Sequence, residues 1–405
     1  MIISTKNVRA SGDQILPMRI NWDDGYRDSY VFKTDVITSH TGREQRRAVR
    51  NRPRREIELS ATFDREIKWL LDNHMAKFQH ARTLVPDISK PLVTVSDLGI
   101  GNQSCSYIGD AFWLSAGRRV LLVNRDLIET RTVSGFTTTT ILFTEDDGLF
   151  EFPAGTRIFP ASAGRLDLEF DANRLVSSVA ASKVSFQVEP GGESYDQGTP
   201  YELLGEREFF TQRHNYADSL GVTYAQARDD VDMGFGRIQH YLPQAFSRRN
   251  IRIQLLASSS AEIGEIVSFF HRMKGRVGEF FMPTWEQDVV FSSMPGNGRF
   301  IVVDGQSFGH SFKDSTVFRR LMVIMKDGTR IQLEVDFIEI LTDTNSTVIW
   351  LKEDLPPLLF NDTTVDRICW VLLCRFASDR IDVDYQANSV ANIAPTITTL
   401  ENFDL

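Results

Sequence analysis

The stretch Gly42–Ser60, GREQRRAVRNRPRREIELS, gathers seven arginines into a chain whose formal charge is −9. They are Arg43, Arg46, Arg47, Arg50, Arg52, Arg54 and Arg55. Guanidinium groups at this density have three uses. They can stay solvated in a loop, bind phosphate, or make bidentate ion pairs with carboxylates. Stacking aromatics are absent between Gly42 and Glu56, which disfavours a nucleic-acid strand. The expectation is therefore ion pairing with carboxylates of a neighbouring subunit or of the other half of the chain. The acidic segment Asp218–Gly236, containing Asp229, Asp230 and Asp232, is one available partner.

Other reactive-looking residues carry less. GIGNQS at Gly99 is a fragment of a dinucleotide fingerprint, but no helix pattern opens after it. The seven histidines are scattered, none at metal-ligand spacing from another histidine or a cysteine. Cys369 and Cys374 sit in the apolar run RICWVLLCRF and read as core. With Cys105 they make an odd, sparse set that suits reduced thiols. Glu145, Asp146, Asp147 and Glu151 read as a solvated hairpin tip, and Trp113, Trp285 and Trp350 as core. No nucleophile elbow, zinc helix, Walker loop or calcium loop is present. The expectation is a non-enzyme with no cofactor and no metal. Nor is there a signal-peptide pattern, or an apolar run long enough to span a membrane.

What positions the arginines is a strand that occurs twice. RREIELSAT, with every second residue apolar, is answered by RRNIRIQLLA, so that Arg54 and Arg55 fall on Arg248 and Arg249 at an offset of 194. A helix follows each strand. The first is expected from about Asp64, burying Ile67, Leu70, Leu71, Met75 and Phe78. The second opens on a Ser259/Glu262 capping box, buries Ile263, Ile266, Val267, Phe270 and Met273, and stops at Gly275. Further on, Pro86 answers Pro283, GRRVLLVNRD answers FRRLMVIMKDG, TILFTEDD answers TVIWLKED, and Arg157 and Arg165 answer Arg367 and Arg375. The second copy has only Arg248 and Arg249 where the first spends seven arginines, so the other five have a task particular to the first copy.

The expected organisation is two tandem modules, 1–188 and 201–405, joined by the Gly- and Pro-rich linker 189–200. The expected class is mostly β (α+β). Each module would be a β-sandwich with a packed helix plus a small β-barrel, at about 98–166 in the first and about 301–376 in the second, after a core at about 201–300.

Three segments together resemble a known family. DMGFGRIQHYLPQAFSRRNIRIQLLASSSAEIGEIVSFFHRMKGRVGEFFMPTWEQDVVF is similar to the core of tail-tip proteins of long-tailed bacteriophages. TDVITSHTGREQRRAVRNRPRREIEL looks like the opening of such proteins, and GRRVLLVNRDLIETRTV with FPAGTRIFPASAGRL like the small barrel that follows. The second copy departs from that pattern at VDRICWVLLCRF. The resemblance implies a distal-tail or baseplate protein of the virion, made in the host bacterial cytoplasm. It would form a homo-oligomeric ring, either a trimer with pseudo-six-fold symmetry or a hexamer, between the tail tube protein and hub or receptor-binding proteins. DNA would be only passing cargo. A carbohydrate- or receptor-binding module of the tail tip is the alternative.

Overall fold

Period-two alternation makes RREIELSATF the strand Arg54–Phe63, with Arg55, Ile57, Leu59 and Ala61 on the buried face. The structure is a computed structural model. It describes residues 7–400 except 10–13, 16–18, 40–42, 112, 125–126, 145–149, 168–172, 177–178, 190–197, 217–218, 227, 235 and 242–246, and within 64–81 it describes only 65, 69, 72, 73 and 76. The fold is α+β and dominated by strands, which form two large sheets of sixteen and twelve strands.

In the first half, Arg157–Leu166 is the hub. It pairs with Arg119–Asn124, Thr83–Pro86, Leu92–Thr94 and Val179–Val188. From Arg119–Asn124 the pairings pass to Leu127–Phe136, Thr140–Phe143, Ser104–Ile108 and Leu92–Thr94, and so return to the hub. Leu92, Val120, Leu122, Val133, Ile141 and Ile158 form a separate apolar cluster among these strands. In the second half the hub is Val365–Phe376, paired with Arg320–Met325, Phe280–Pro283 and Thr396–Thr399. The series continues through Arg330–Leu341, Ser346–Leu351, Phe300–Asp304 and Phe291–Ser293.

The halves are joined at the level of the backbone. Strand Arg19–Val31 lies between Arg54–Phe63 and Arg380–Ala387, with Tyr26 opposite Tyr385 and Val31 opposite Arg380. The sixteen-stranded sheet therefore crosses the expected boundary and runs on through Val390–Ile393 to Leu255–Ala257. Most of the linker, residues 190–197, lies outside the described residues.

The helix Ser260–Met273 has Ser259 as its N-cap, whose side chain accepts from the Glu262 amide. The reciprocal bond goes one residue further out than a capping box requires, from the Ser258 amide to Glu262 at 2.7 Å. Ile263, Ile266, Val267, Phe270 and Met273 are buried as expected. Lys274 already adopts the left-handed conformation at the end, followed by Gly275 at φ 67°. Phe269 stacks on Phe210 at 4.7 Å, while Phe270 meets Phe32 of the first half at 5.6 Å. For the earlier helix, Arg65, Trp69, Asp72, Asn73 and Ala76 are helical and exposed. Its expected apolar face, Ile67, Leu70, Leu71, Met75 and Phe78, lies outside the described residues.

Candidate functional site

Two strands of the arginine region, Thr34–Thr38 and Glu44–Ala48, form a hairpin that reaches from the first half onto the second. Glu44, the one acid among the arginines, is its anchor. Arg375 donates to both Glu44 carboxylate oxygens at 2.9 Å, Arg248 adds a bond at 2.5 Å, and Arg46 stands at 3.6 Å. The Glu44 and Arg375 side chains are each only 4% exposed. Burial alone would raise the Glu44 carboxyl, but the hydrogen bonds and charges of Arg375 and Arg248 outweigh it and hold the group below its ordinary value. Arg46 then donates to Glu279 and to the Val277 carbonyl, and Glu279 also meets Arg207 at 3.0 Å.

The base of the hairpin is pinned by Asp379. Its carboxylate accepts from the Thr34 amide and hydroxyl at 2.7 Å and from the Arg276 amide at 3.1 Å, while its carbonyl takes the Phe32 amide. A side chain on Gly275 would place its Cβ 2.7 Å from that carboxylate, so the bare left-handed glycine is what lets the helix end sit here. Along the shared strands, Arg27 bonds Asp384 at 2.5 Å, Ser29 bonds Asp382, and Arg380 bridges Glu56 and Ser29.

The seven arginines thus have different surroundings. Arg46 makes the expected ion pair with the other half. Arg43, Arg47, Arg52 and Arg54 are exposed, and Arg50 reaches toward the Val31 carbonyl at 3.5 Å. Arg55 is buried inside the first half, forked onto Asp28 at 2.7 Å and 2.8 Å and bonded to Asp87 at 2.5 Å. Tyr26 and Ser89 donate to the same Asp87 carboxylate. Burial would raise Asp87, but Lys90 and Arg55, with hydrogen bonds from Ser89 and Arg55, hold it well below the usual carboxylate range. For Asp28 burial prevails over Arg55, and its carboxyl is raised.

Arg248 meets Glu44, and Arg249 lies over the Tyr224 and Phe318 rings at 5.2 and 5.1 Å. Among the described residues, the acids of the segment Asp218–Gly236 make no ion pair with the arginines of Gly42–Ser60, although its strand Gly221–Ala225 pairs with Arg248–Arg252. Asp230 is exposed and bonded to Arg228 and His240, Asp232 accepts from the Gly234 amide, and Asp229 pairs through its backbone with Tyr241. The reading from sequence missed Glu44, Glu279, Asp379 and Asp384. Glu44 carries a signal, as the one acid among the arginines.

Trp113 and Trp285 are buried, and Trp350 is half-buried against Phe337. All three cysteines are buried thiols. Of the four crowded carboxylates, Glu145, Asp146 and Asp147 lie outside the described residues, and Glu151 is exposed. Among the described residues no three His, Cys, Asp or Glu side chains converge as a metal site would require. A cleft of about 670 Å³ opens between the halves, lined in part by Trp113, Arg118, Tyr201, Arg272, Tyr385 and Asn388. No protein-family model matches the chain, and no curated protein matches it at a significant level.

Proposed function

We propose that the chain is two linked copies of one self-associating module, and that it serves as a ring-forming structural protein at the distal end of a bacteriophage tail. The observation that carries the duplication is strand register. Tyr30 faces Arg55, and Tyr224 faces Arg249, the same pair displaced by 194. Asp35 faces Arg47 and Asp229 faces Tyr241, again displaced by 194. At the hubs, Val120 faces Pro160 and Pro86 faces Ala161, while Leu321 faces Trp370 and Pro283 faces Val371. Those are the partners that the sequence match of Arg157 with Arg367 demands. Similar residue patterns arise by chance in β-rich chains; a whole network of pairings in matching register is a much stricter coincidence.

The self-association is supported by the junction between the halves, which is built from unlike surfaces. An open hairpin and strand edge on one side meet arginines and a terminal strand on the other. Contacts of that heterologous kind close into rings when the rotation between units allows it. A trimer of double modules would meet both six-fold and three-fold neighbours, and six chains would form a ring with an outer layer. The partners in this reading are the tail tube protein and hub or receptor-binding proteins. The small barrel expected in each half would face those neighbours; the cycle of pairings from Arg157–Leu166 through Ser104–Ile108 and Leu92–Thr94 supports it in the first. The net charge of −9 suits a lumen through which DNA slides without sticking. Native mass spectrometry of the purified protein tests the reading: a discrete trimer or hexamer is expected, and a persistent monomer at tens of micromolar would overturn it.

A second reading, glycan or receptor binding, is favoured by the cleft, whose size and mixture of aromatic and polar side chains suit a sugar. Retention on immobilised bacterial surface glycans, lost on Trp113→Ala, is its signature.

A further inference from the structure

The buried network of Arg55, Asp28 and Asp87 in the first half has a matching place in the second. Tyr30 faces Arg55 and Asp28 faces Ile57, as Tyr224 faces Arg249 and Val222 faces Ile251. The Asp87 amide donates to the Pro160 carbonyl at 2.9 Å, and the Thr284 amide to the Trp370 carbonyl at 2.9 Å. Each of those amides directly follows the proline that ends its strand, Pro86 or Pro283. Arg249 therefore stands where Arg55 does, but Val222 and Thr284 stand where the two carboxylates do. The guanidinium is kept and its acids are gone.

A cavity of about 60 Å³ lies at that place, lined in part by Arg249, Val222, Thr284, Trp285, His214 and Glu286. Arg249 is half-buried. Among the described residues its side chain makes no hydrogen bond or ion pair, only the contacts with the Tyr224 and Phe318 rings. His214, 5% exposed, takes the Gln254 amide on Nδ1, which leaves the proton of the neutral ring on Nε2. Neither that Nε2 nor Nε1 of Trp285, itself 6% exposed, has a partner among the described residues. An N–H buried without an acceptor is costly and calls for one. Glu286 is exposed and forms no ion pair among the described residues, so it does not take the place of the missing acids.

We infer that this cavity is a carboxylate site, which holds on Arg249 an acid from outside the chain: an acidic side chain of a second copy or a free small carboxylate. The choice of a carboxylate rests on the reading of the halves as copies of one module; the three donors stand without it. A guanidinium can bind both carboxylate oxygens at once, as Arg55 binds those of Asp28. The cavity has the volume of a few water molecules, enough for a carboxylate group. The negative charge of Glu286 on its lining repels a doubly charged phosphate more than a singly charged carboxylate.

Equilibrium dialysis against radiolabelled acetate at pH 7, at protein concentrations above and below assembly, tests the site. One acetate per chain is expected, with a dissociation constant of about 1 mM for so small a ligand. Arg249→Gln should weaken retention at least tenfold. Val222→Asp restores the acid that Asp28 supplies in the first half, and should exclude acetate as strongly while leaving Arg249 in place. Arg47→Gln, at an exposed arginine, should bind as the parent does. Equal retention at both concentrations identifies a free carboxylate as the ligand. Acetate that is shut out on assembly, and that in excess drives the oligomer apart, identifies an acid of a second copy. Where the assembly stays intact on dilution, Arg249→Gln and Val222→Asp should each dissociate at least tenfold more readily than the parent. Chains that retain no more acetate than Arg249→Gln does, with assembly unchanged in both variants, overturn the site and leave the ring standing. A preference for phosphate overturns it too. A chain that binds acetate but stays monomeric overturns the ring and keeps the site.

Discussion

Removing the Glu44 carboxylate is the sharpest test of how the halves are held together. Its two oxygens satisfy a bidentate Arg375 and one nitrogen of Arg248, and the Arg375 side chain is nearly sealed from solvent. Glu44→Ala leaves that guanidinium with only the Phe376 carbonyl at 2.8 Å. Breaking a buried pair from one side costs about 3–5 kcal/mol, because a charge is stranded. Arg248 retains some access to water, so the lower end, about 3 kcal/mol, applies. Unfolding entropy of about 2.1 cal/mol/K per residue makes that a fall in Tm of ~3–4 °C if the halves unfold as one unit. Calorimetry of Glu44→Ala, Arg375→Ala and the double variant should give a coupling energy of about 2 kcal/mol. The pH dependence has a definite sign. The folded-state pKa of Glu44 lies below its ordinary value of 4.5, so its contribution is complete above about pH 4.5 and is lost as pH falls through the folded value. Glu44→Gln should remove that part of the acid sensitivity. A coupling below about 0.5 kcal/mol, the scale of an exposed pair, would refute the idea that this carboxylate clamps the halves.

Arg55→Met should be more damaging than any other change in the arginine cluster, costing about 3–5 kcal/mol because Asp28 and Asp87 are left buried together; the yield of soluble protein and its urea midpoint report it. Arg47→Ala and Arg52→Ala, by contrast, should stay within about 0.5 kcal/mol of the parent in the same titration, since both side chains are exposed. Gly275→Ala should cost about 1–3 kcal/mol, from the left-handed backbone and the clash with Asp379, and should loosen the hairpin base to proteolysis. The thiols should ignore an aromatic disulfide reagent at pH 8 in the native state and react fully in guanidinium, since burial pushes Cys105 up to about 11 and Cys369 up to about 12. Appreciable native reactivity would mean that the core around Val365–Phe376 opens.

Short-range features were legible in the sequence. The cap at Ser259, the apolar face from Ile263 to Met273 and the alternation of Arg54–Phe63 all follow from local periodicity, and the structure has them. The same alternation put Arg55 in phase with Ile57 and Leu59, which marked it as inward-facing. Its membership of a charge cluster hid that signal. The joining contacts were not legible. Glu44 meets Arg375 across 331 residues, and Ser29 meets Asp382 across 353. Nothing local distinguishes an arginine that will find a distant carboxylate from one that stays in water. Arg46 and Arg47 are adjacent in sequence, yet one is an ion-pair partner of Glu279 and the other is exposed.

The strand at Tyr26–Val31 has a consequence for synthesis. It leaves the ribosome early, but its second neighbour, Arg380–Ala387, follows some 350 residues later. At about 5–20 residues per second, that interval is roughly 20–70 s, during which the first edge is exposed on a tethered, part-made chain. Polysomes place several such nascent edges side by side. A completed chain nearby can then donate its late strand to a younger one, so expression slowly and at low message density should favour correctly joined protein over exchanged dimers.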